Sequence, residues 1–508
     1  MNKTNSKNRS RTFAPAYNLI GAEWQPALDG AAFEDRNPAN TEDRIGSFPS
    51  SKTADVDAAV NAARTAFKSW RLVPAPQRGN ILRRCAMQLA EHKEELAMLM
   101  AREMGKPRIE ACGDVQEAID CAYLYAGESR RMAGQTLPSE LPDKFAMTVR
   151  RPVGVCGLIT PWNFPVAIPS WKIFPAILCG NTVVLKPAED SPACASAFVK
   201  ILLDAGVPPG VVNLVHGAGE EAGGALVAHP DVSLISFTGS SQTGSLIAAS
   251  CGVNLKRCAL EMGGKNAQIV MADANMDLAL EGAVWGAFAT AGQRCTATSR
   301  LLLQKEIYKP FLERLVKAAR NLRLGDPLDS KSQIGPLVNE AQFKRVQEYV
   351  GVGIDEGAKL ICGGKRATGR ELKNGFFFEP TVFAGVKPGM RIAQEEIFGP
   401  VTAVIEFEDF EQAVEILNGT RYGLSSSLYT RNIDLAFRAI RDFDAGITYI
   451  NGPTIGAEVH LPFGGVKNTG NGHREAGETV LDIFSEWKSV YVDYSGKLQR
   501  AQIDNADQ

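Results

Sequence analysis

The chain has 508 residues, 45% hydrophobic and 22% charged, an ordinary globular composition that at roughly 100–200 residues per domain allows two to four folding units. Lys and Arg number 55 against 57 Asp and Glu, a formal net charge of −2, which leaves no concentrated basic face for a nucleic acid. No run approaches the ~18 uninterrupted apolar residues of a membrane span, and ten scattered cysteines without a CxxC pair, beside five histidines, suit neither a disulfide framework nor a zinc site, pointing to a reducing cytoplasm and no metal.

The opening MNKTNSKNRSRTF is basic and polar but lacks the apolar core of a secretory signal, so residues 1–16 are expected to form a disordered tail. From 53 to 135 the pattern is helical. TADVDAAVNAARTAFKSW repeats apolar residues every three or four positions behind a Thr53 or Asp55 cap. QRGNILRRCAMQLAEHKEELAMLMAREMGK continues it, and EACGDVQEAIDCAYLYAGESRRMAG adds a further helix. From 145 the period changes. FAMTVRRPVG, VCGLIT, TVVLKPAE, VVNLVHG and VSLISFTGS read as short strands, separated by the helical stretches SWKIFPAILCG and PACASAFVKILLDAGV. That alternation predicts a parallel sheet with helices on its faces. The second half repeats it, and TVLDIFSEWKSVYVDYS closes the chain as a β-rich tail able to pair with another element. The expected fold class is α/β, with two doubly wound parallel-sheet units meeting near residue 260.

Four stretches offer chemistry. TPWNFP (160–165) follows a strand, where open parallel sheets bind ligands, and Asn163 brings an amide donor for an oxyanion; it equally suits a turn cap before Pro165. In TVVLKPAED (182–190), Lys186 and Glu189 stand past a strand end, suited to ribose hydroxyls or simply to solvent. ISFTGSSQTGS runs through Gly239 and Ser240 into a helix, a start that offers free N–H groups to a phosphate without the GxGxxG fingerprint. Last, Glu261 precedes two glycines and Cys295 sits in AGQRCTATSR among small polar neighbours. A thiol and a desolvated carboxylate are a nucleophile and a base if the fold brings them together.

Together the motifs PWNFP, LKPAE, FTGS, EMGGK, GQRC, EEIFGP (395–400) and PFGG (462–465), in that order over roughly residues 20 to 490, resemble the aldehyde dehydrogenase superfamily. The resemblance implies a Rossmann-like NAD-binding domain (17–130 and 151–259), a catalytic domain (260–465) and a β oligomerisation element (131–150 and 480–496), giving a homodimer or homotetramer. It makes Cys295 the nucleophile that forms a thiohemiacetal and then a thioester. Asn163 and the Cys295 N–H hold the oxyanion, Glu261 activates the hydrolytic water, and Lys172 assists proton transfer. Ile159, Thr160, Trp162, Lys186, Glu189, Gly219, Gly239, Ser240, Glu396 and Phe398 fall at cofactor positions. Glu189 favours NAD over NADP, because a carboxylate repels a 2′-phosphate. Met262 stands where the family most often has Leu.

The stretch 456–477 looks most like the branch oxidising 2-oxoglutarate semialdehyde (2,5-dioxopentanoate), and Arg294 beside the nucleophile suits a remote carboxylate. Arg294 held in a structural ion pair is the competing reading, and Glu458 and His460 lie near Phe463. Phe164, Trp171, Thr296 and Phe463 complete the expected substrate side, and the aromatic rings suit an aromatic or aliphatic aldehyde equally. A cofactor-independent cysteine esterase would leave Lys186, Glu189 and the Gly239 turn idle. A CoA-acylating enzyme would not need Glu261 to activate water, and a non-catalytic relative would have no use for Cys295, Glu261 and Asn163 together. No nucleic acid, membrane or metal partner is expected.

Overall fold

The apolar runs Val155–Ile159, Thr182–Lys186 and Val232–Thr238 become neighbouring parallel strands, buried along nearly their whole length, in a computed structural model that describes residues 16–504. Residues 1–15 lie outside that range, and with them the expected disordered tail. The first sheet has seven strands in the order Arg257–Glu261, Val232–Thr238, Val155–Ile159, Thr182–Lys186, Val212–Leu214, Asn18–Ile20, Glu23–Gln25. Its first five strands are parallel and the last two antiparallel. Side chains alternate between two cores, because successive residues of a strand face opposite ways. Val183 and Leu185 join the helices 75–128, 167–178 and 192–204, whereas Val184 joins Thr53–Trp70 and Ser241–Val253.

The chain winds outward from Val155–Ile159 in one direction and from Val232–Thr238 in the other. The carboxyl ends of those two adjacent strands therefore open a crevice, the usual ligand position in such sheets. A second seven-stranded sheet runs Lys359–Cys362, Thr381–Ala384, Val401–Phe407, Arg300–Gln304, Ala267–Val270, Ser425–Tyr429, Ile447–Ile450, parallel except for its first pair. The loops that enter Ala267–Val270 and Arg300–Gln304 carry residues 262–266 and 289–299. The amino edge of the second sheet thus meets the crevice of the first.

A third, antiparallel sheet pairs Ser485–Asp493 with Lys144–Pro152, residue for residue from Ser485↔Pro152 to Asp493↔Lys144, and adds Thr136–Pro138. The β-rich tail thus finds its partner, although LDIF (Leu481–Phe484) is a helical turn rather than strand. The long predicted helix after residue 76 breaks at His92 (φ −97°, ψ 10°) into Ala75–Glu91 and Lys93–Met104. The three-residue strands before residue 26 are too short for a period-2 pattern to register. No helix among the described residues is long and apolar enough to cross a membrane.

Candidate active site

The loop holding Cys295 begins where the helix Met276–Phe288 ends. Thr290 (φ 51°, ψ 31°), Ala291 (φ 54°, ψ 35°) and Gly292 (φ 69°) then run consecutively through left-handed space, which only glycine enters without cost. A Cβ on Gly292 would strike the Gly399 carbonyl. Glu110 secures the turn, accepting from Thr290 N (3.1 Å) and Thr290 Oγ1 (2.6 Å). Beyond Cys295, Asn266 Nδ2 donates to the carbonyls of Cys295 (2.7 Å) and Ala297 (3.0 Å). The sulfur is half-buried on a loop fixed at both ends. Burial first, then the charges of Glu396 and Glu261, push its thiol up to about 12.

Asn163 Nδ2 donates to the Gln293 carbonyl (3.0 Å), which aims the amide at the Cys295 loop and leaves its second N–H for a ligand. Glu261 ends the strand Arg257–Glu261, and neither carboxylate oxygen has a hydrogen-bond partner. Burial and then the Glu475 charge hold Glu261 well above the usual carboxylate range, against the pull of Lys172. Lys172 itself is wholly buried on the helix Ala167–Leu178, ion-paired to Glu475 and donating to Ser236 Oγ at 2.9 Å. Its charge therefore reaches Glu261 from behind a Glu475–Ser236 pair.

On the crevice side, a cleft of about 220 Å³ is lined by Trp162, Asn163, Ser240, Cys295, Glu396 and Phe398 among others. Trp162 and Phe398 meet edge to face (5.4 Å), and Phe398 adopts φ +62°. Glu396 Oε1 accepts from Gly264 N (3.2 Å); burial pushes its carboxyl up to about 7. A Cβ on Gly263 would overlap that carboxylate. Arg345 Nη2 donates to Glu396 O (2.7 Å) and Gln342 Nε2 to Phe398 O (2.7 Å), so a neighbouring helix sets the EEIFGP loop.

Farther along the crevice, Lys186 Nζ donates to Gly217 O (2.9 Å) and Glu189 Oε2 (3.2 Å), while Gly219 N donates to Glu189 Oε1 (2.6 Å). Ser240 caps the helix Ser241–Val253 through Thr243 N. Ile159 ends its strand below Thr160, and the hydroxyls of Thr160 and Thr238 are buried without a partner, as is Asn163 Oδ1. Orphaned donors and acceptors at two strand ends, a helix N-terminus and a Lys–Glu pair fit a dinucleotide laid across the carboxyl edge. Among the described residues no cluster of His, Cys, Asp and Glu is arranged to hold a metal.

On the other side of Cys295, Trp171 and Phe463 meet edge to face at 4.9 Å, and Thr296 is buried with its carbonyl accepting from Thr454 Oγ1 (2.6 Å). Arg294 forms an ion pair with Glu110. Nη2 donates to Glu110 (2.6 Å) and Nε to Thr290 Oγ1 (3.1 Å), with the guanidinium 5.2 Å from the Phe164 ring. Glu458 and His460 lie out in solvent, 3.5 Å apart. The sequence reading missed Glu475, Gln293, Glu110, Gln342 and Arg345. Gln293 lay inside the GQRC motif, and the other four carried no local signal.

A family model described as "Aldehyde dehydrogenase family" matches residues 24–490. The chain is 40% identical to an alpha-ketoglutaric semialdehyde dehydrogenase of Bacillus subtilis (strain 168), over 94% of this chain and 97% of the relative. It is also 40% identical to an alpha-ketoglutarate semialdehyde dehydrogenase of Haloferax volcanii (94% and 99%), and 42% identical to a mitochondrial aldehyde dehydrogenase of Sus scrofa (93% and 90%). Among solved structures, betaine aldehyde dehydrogenase from Staphylococcus aureus in complex with NAD+ superposes with a TM-score of 0.93 at 34% identity, covering 96% of both chains.

Proposed function

The chain belongs to the aldehyde dehydrogenase family, and from that premise we propose that it oxidises an aldehyde with a remote carboxylate, such as 2-oxoglutarate semialdehyde, to the acid, using NAD. The observation that carries this reading is the convergence on one half-buried thiol of an amide donor, Asn163, and a carboxyl, Glu261, with no partner of its own. Cys295 Sγ attacks the carbonyl carbon, and its proton leaves to a base or to water. The carbonyl oxygen becomes an oxyanion within reach of the free Asn163 N–H. When bound, the nicotinamide supplies the hydride acceptor, and Glu396, Phe398 and Trp162 line the place for it. The acyl group remains on Cys295 as a thioester. Glu261 then takes a proton from water, whose oxygen attacks the thioester, and Cys295 leaves as the thiol once reprotonated. Burial and the Glu475 charge hold Glu261 above the usual carboxylate range, so its work as a base needs a path by which its proton can leave. The Lys172–Glu475 pair behind it is the adjoining charged route.

The substrate assignment draws support from the two semialdehyde dehydrogenase relatives and from Arg294. Its Nη1 carries no hydrogen bond among the described residues, although Glu110 offsets its charge. The aromatic edge formed by Trp171 and Phe463 favours, as a second reading, an aromatic or aliphatic aldehyde. Glu189 supports NAD over NADP, its carboxylate already seated on Gly219 N beside the ribose position. A division into a cofactor unit up to 259 and a catalytic unit from 260 is supported by a first sheet whose edge strand ends at Glu261 and by a second sheet entered through the loop that carries the thiol. Self-association through the three-stranded sheet is supported by exposed Trp487 (52%) and Tyr491 (67%) on its outer strand. Ten free cysteines suit a reducing cytoplasm.

The test is NADH formation with NAD or NADP over 2-oxoglutarate semialdehyde, succinate semialdehyde, an aliphatic and an aromatic aldehyde. Cys295→Ala is expected to abolish it. Glu261→Gln is expected to lower steady-state turnover by roughly 10²–10⁴ while leaving a burst of about one NADH per site. No cofactor reduction with any aldehyde, together with ester cleavage in the absence of NAD, would bring the cysteine hydrolase forward instead.

A further inference from the structure

The strand Arg257–Glu261 is the edge of the first sheet, paired with Val232–Thr238 on one side only. Its backbone groups turn alternately to the two sides. Glu261 O accepts from Gly239 N on the paired side (3.0 Å), so Cys258, Leu260 and Met262 present their N–H and C=O groups to the open side. Such an edge is a row of unmet donors and acceptors. Here one exposed side chain takes most of it. Asn471 Oδ1 accepts from Leu260 N (3.0 Å), and Nδ2 donates to Cys258 O (2.8 Å), so a single amide stands in for the peptide group of a missing neighbour strand. Met262 N, next along the edge, donates to Thr469 O (2.7 Å).

The short segment that supplies both contacts is itself anchored. Thr469 is wholly buried, its Oγ1 donating to Gly263 O (3.0 Å) and accepting from Gly423 N (3.1 Å), just before the second sheet's strand Ser425–Tyr429. Gly470 pairs antiparallel with Glu261, and a Cβ on it would come within 2.9 Å of Leu260 O. A Cβ on Gly464, in the PFGG loop, would come within 2.6 Å of Glu261 Oε1, so the carboxyl lies against the same part of the chain. Neither oxygen of that carboxyl has a hydrogen-bond partner among the described residues. Its place is therefore set by the backbone of residues 260–262. Asn471 and Thr469 hold that backbone from both sides of Glu261.

Resting on the reading that Glu261 activates the water which hydrolyses the thioester, we infer that Asn471 is a positioning residue for that step: its amide fixes the end of the edge strand and so aims the Glu261 carboxyl at the acyl group on Cys295. Asn471 does not line the cofactor cleft. Loss of its two hydrogen bonds frees the backbone of residues 258–262 and spreads the carboxyl over more positions. Attack by the thiol and departure of the hydride come before the work of Glu261 and are left as they were. Hydrolysis is not, since a base acts only within hydrogen-bond reach of the proton it takes.

The test follows NADH with the fastest aldehyde of the panel above, in the wild type, Asn471→Ala, Asn471→Asp, Glu261→Gln and the double variant Glu261→Gln/Asn471→Ala. Asn471→Ala is expected to lower kcat roughly tenfold while keeping a burst of about one NADH per site. KM is expected to fall with it, leaving kcat/KM within about twofold of the wild type, because hydrolysis follows the steps that kcat/KM reports. Asn471→Asp keeps the acceptor for Leu260 N but not the donor to Cys258 O, and its kcat is expected to lie between those two. In the Glu261→Gln background, Asn471→Ala is expected to change kcat by less than about twofold, there being no base left to aim. Equal losses in kcat and kcat/KM, or a shrunken burst, would make Asn471 a merely structural residue and overturn the inference. An unchanged kcat, or losses that multiply in the double variant, would overturn it too, and all of these leave the dehydrogenase standing. Absence of NADH in the wild type with every aldehyde overturns the dehydrogenase reading and this inference with it.

Discussion

A thiol set among carboxyls gives up its proton reluctantly, and Cys295 is such a thiol. Burial and the charges of Glu396 and Glu261 all favour S–H over S⁻. The thiolate, not the thiol, is the nucleophile. With the folded thiol raised above its ordinary value, the thiolate fraction is small at neutral pH and grows as pH rises. Alkylation of the cofactor-free protein by iodoacetamide at Cys295, followed by mass spectrometry, is therefore expected to accelerate roughly tenfold per pH unit from about pH 7 to about pH 9. Glu396→Gln removes one of the two carboxyls and is expected to raise the neutral-pH rate several-fold; a plateau near pH 8 in the wild type would contradict both. Cys295, alone of ten cysteines, stood out in the sequence by its small polar neighbours, Asn163 by its place after a strand and Glu261 by the two glycines that follow it. Glu475 did not, because its meaning lies wholly in Lys172, 303 residues away, and no local pattern carries that distance.

At the scale of elements, the left-handed turn Thr290–Gly292 is a strained piece that the fold holds in place. Each non-glycine residue there costs roughly 1–2 kcal/mol, opposed by the two hydrogen bonds to Glu110 and by packing against the Gly399 strand end. Gly292→Ala adds both left-handed strain and a clash with Gly399 O. It is expected to lower the melting temperature and displace the thiol, with loss of activity beyond what the stability change explains. Ala291→Gly, by contrast, relieves strain and is expected to leave stability within about 1 kcal/mol of the wild type or above it. Calorimetry on both variants separates the two. The helix Arg108–Glu128 shows where periodicity stops being informative. Its apolar spacing announced a helix, but acids on a helix ordinarily face water, so Glu110 and Asp114 had no reason to read as an interior face. Their partners, Arg294 and Lys106, reach them only through the fold.

At the scale of the molecule, alternating strands and helices were enough to predict parallel sheets, since that order leaves few other arrangements. The order of strands within each sheet was not legible, because it depends on which crossovers return past the starting strand. The resemblance set the segments 131–150 and 480–496 in one β element, but the register of Ser485–Asp493 on Lys144–Pro152 was not legible. That outer strand is nine residues long with an open edge and exposed Trp487 and Tyr491, a surface that in a solitary chain would invite indiscriminate pairing. Light scattering is expected to report a dimer or tetramer, and Tyr491→Lys to shift it towards the monomer without abolishing NADH formation. A wild-type monomer at micromolar concentration would remove that surface from consideration.

The return of the last segment to the first half has a consequence for how the protein is made. The first sheet is complete once residue 261 has left the ribosome, yet Met262 N bonds to Thr469 O, Lys172 pairs with Glu475 and Tyr125 Oη donates to Gly477 O. A nascent chain therefore carries Glu261, and later Cys295, with the inner wall of its own chemistry missing until Thr469, Glu475 and Gly477 have been made. Since domains fold in order of emergence, the surroundings of the thiol are complete only once Gly477 is in place, and a product cut before Glu475 is expected to be inert.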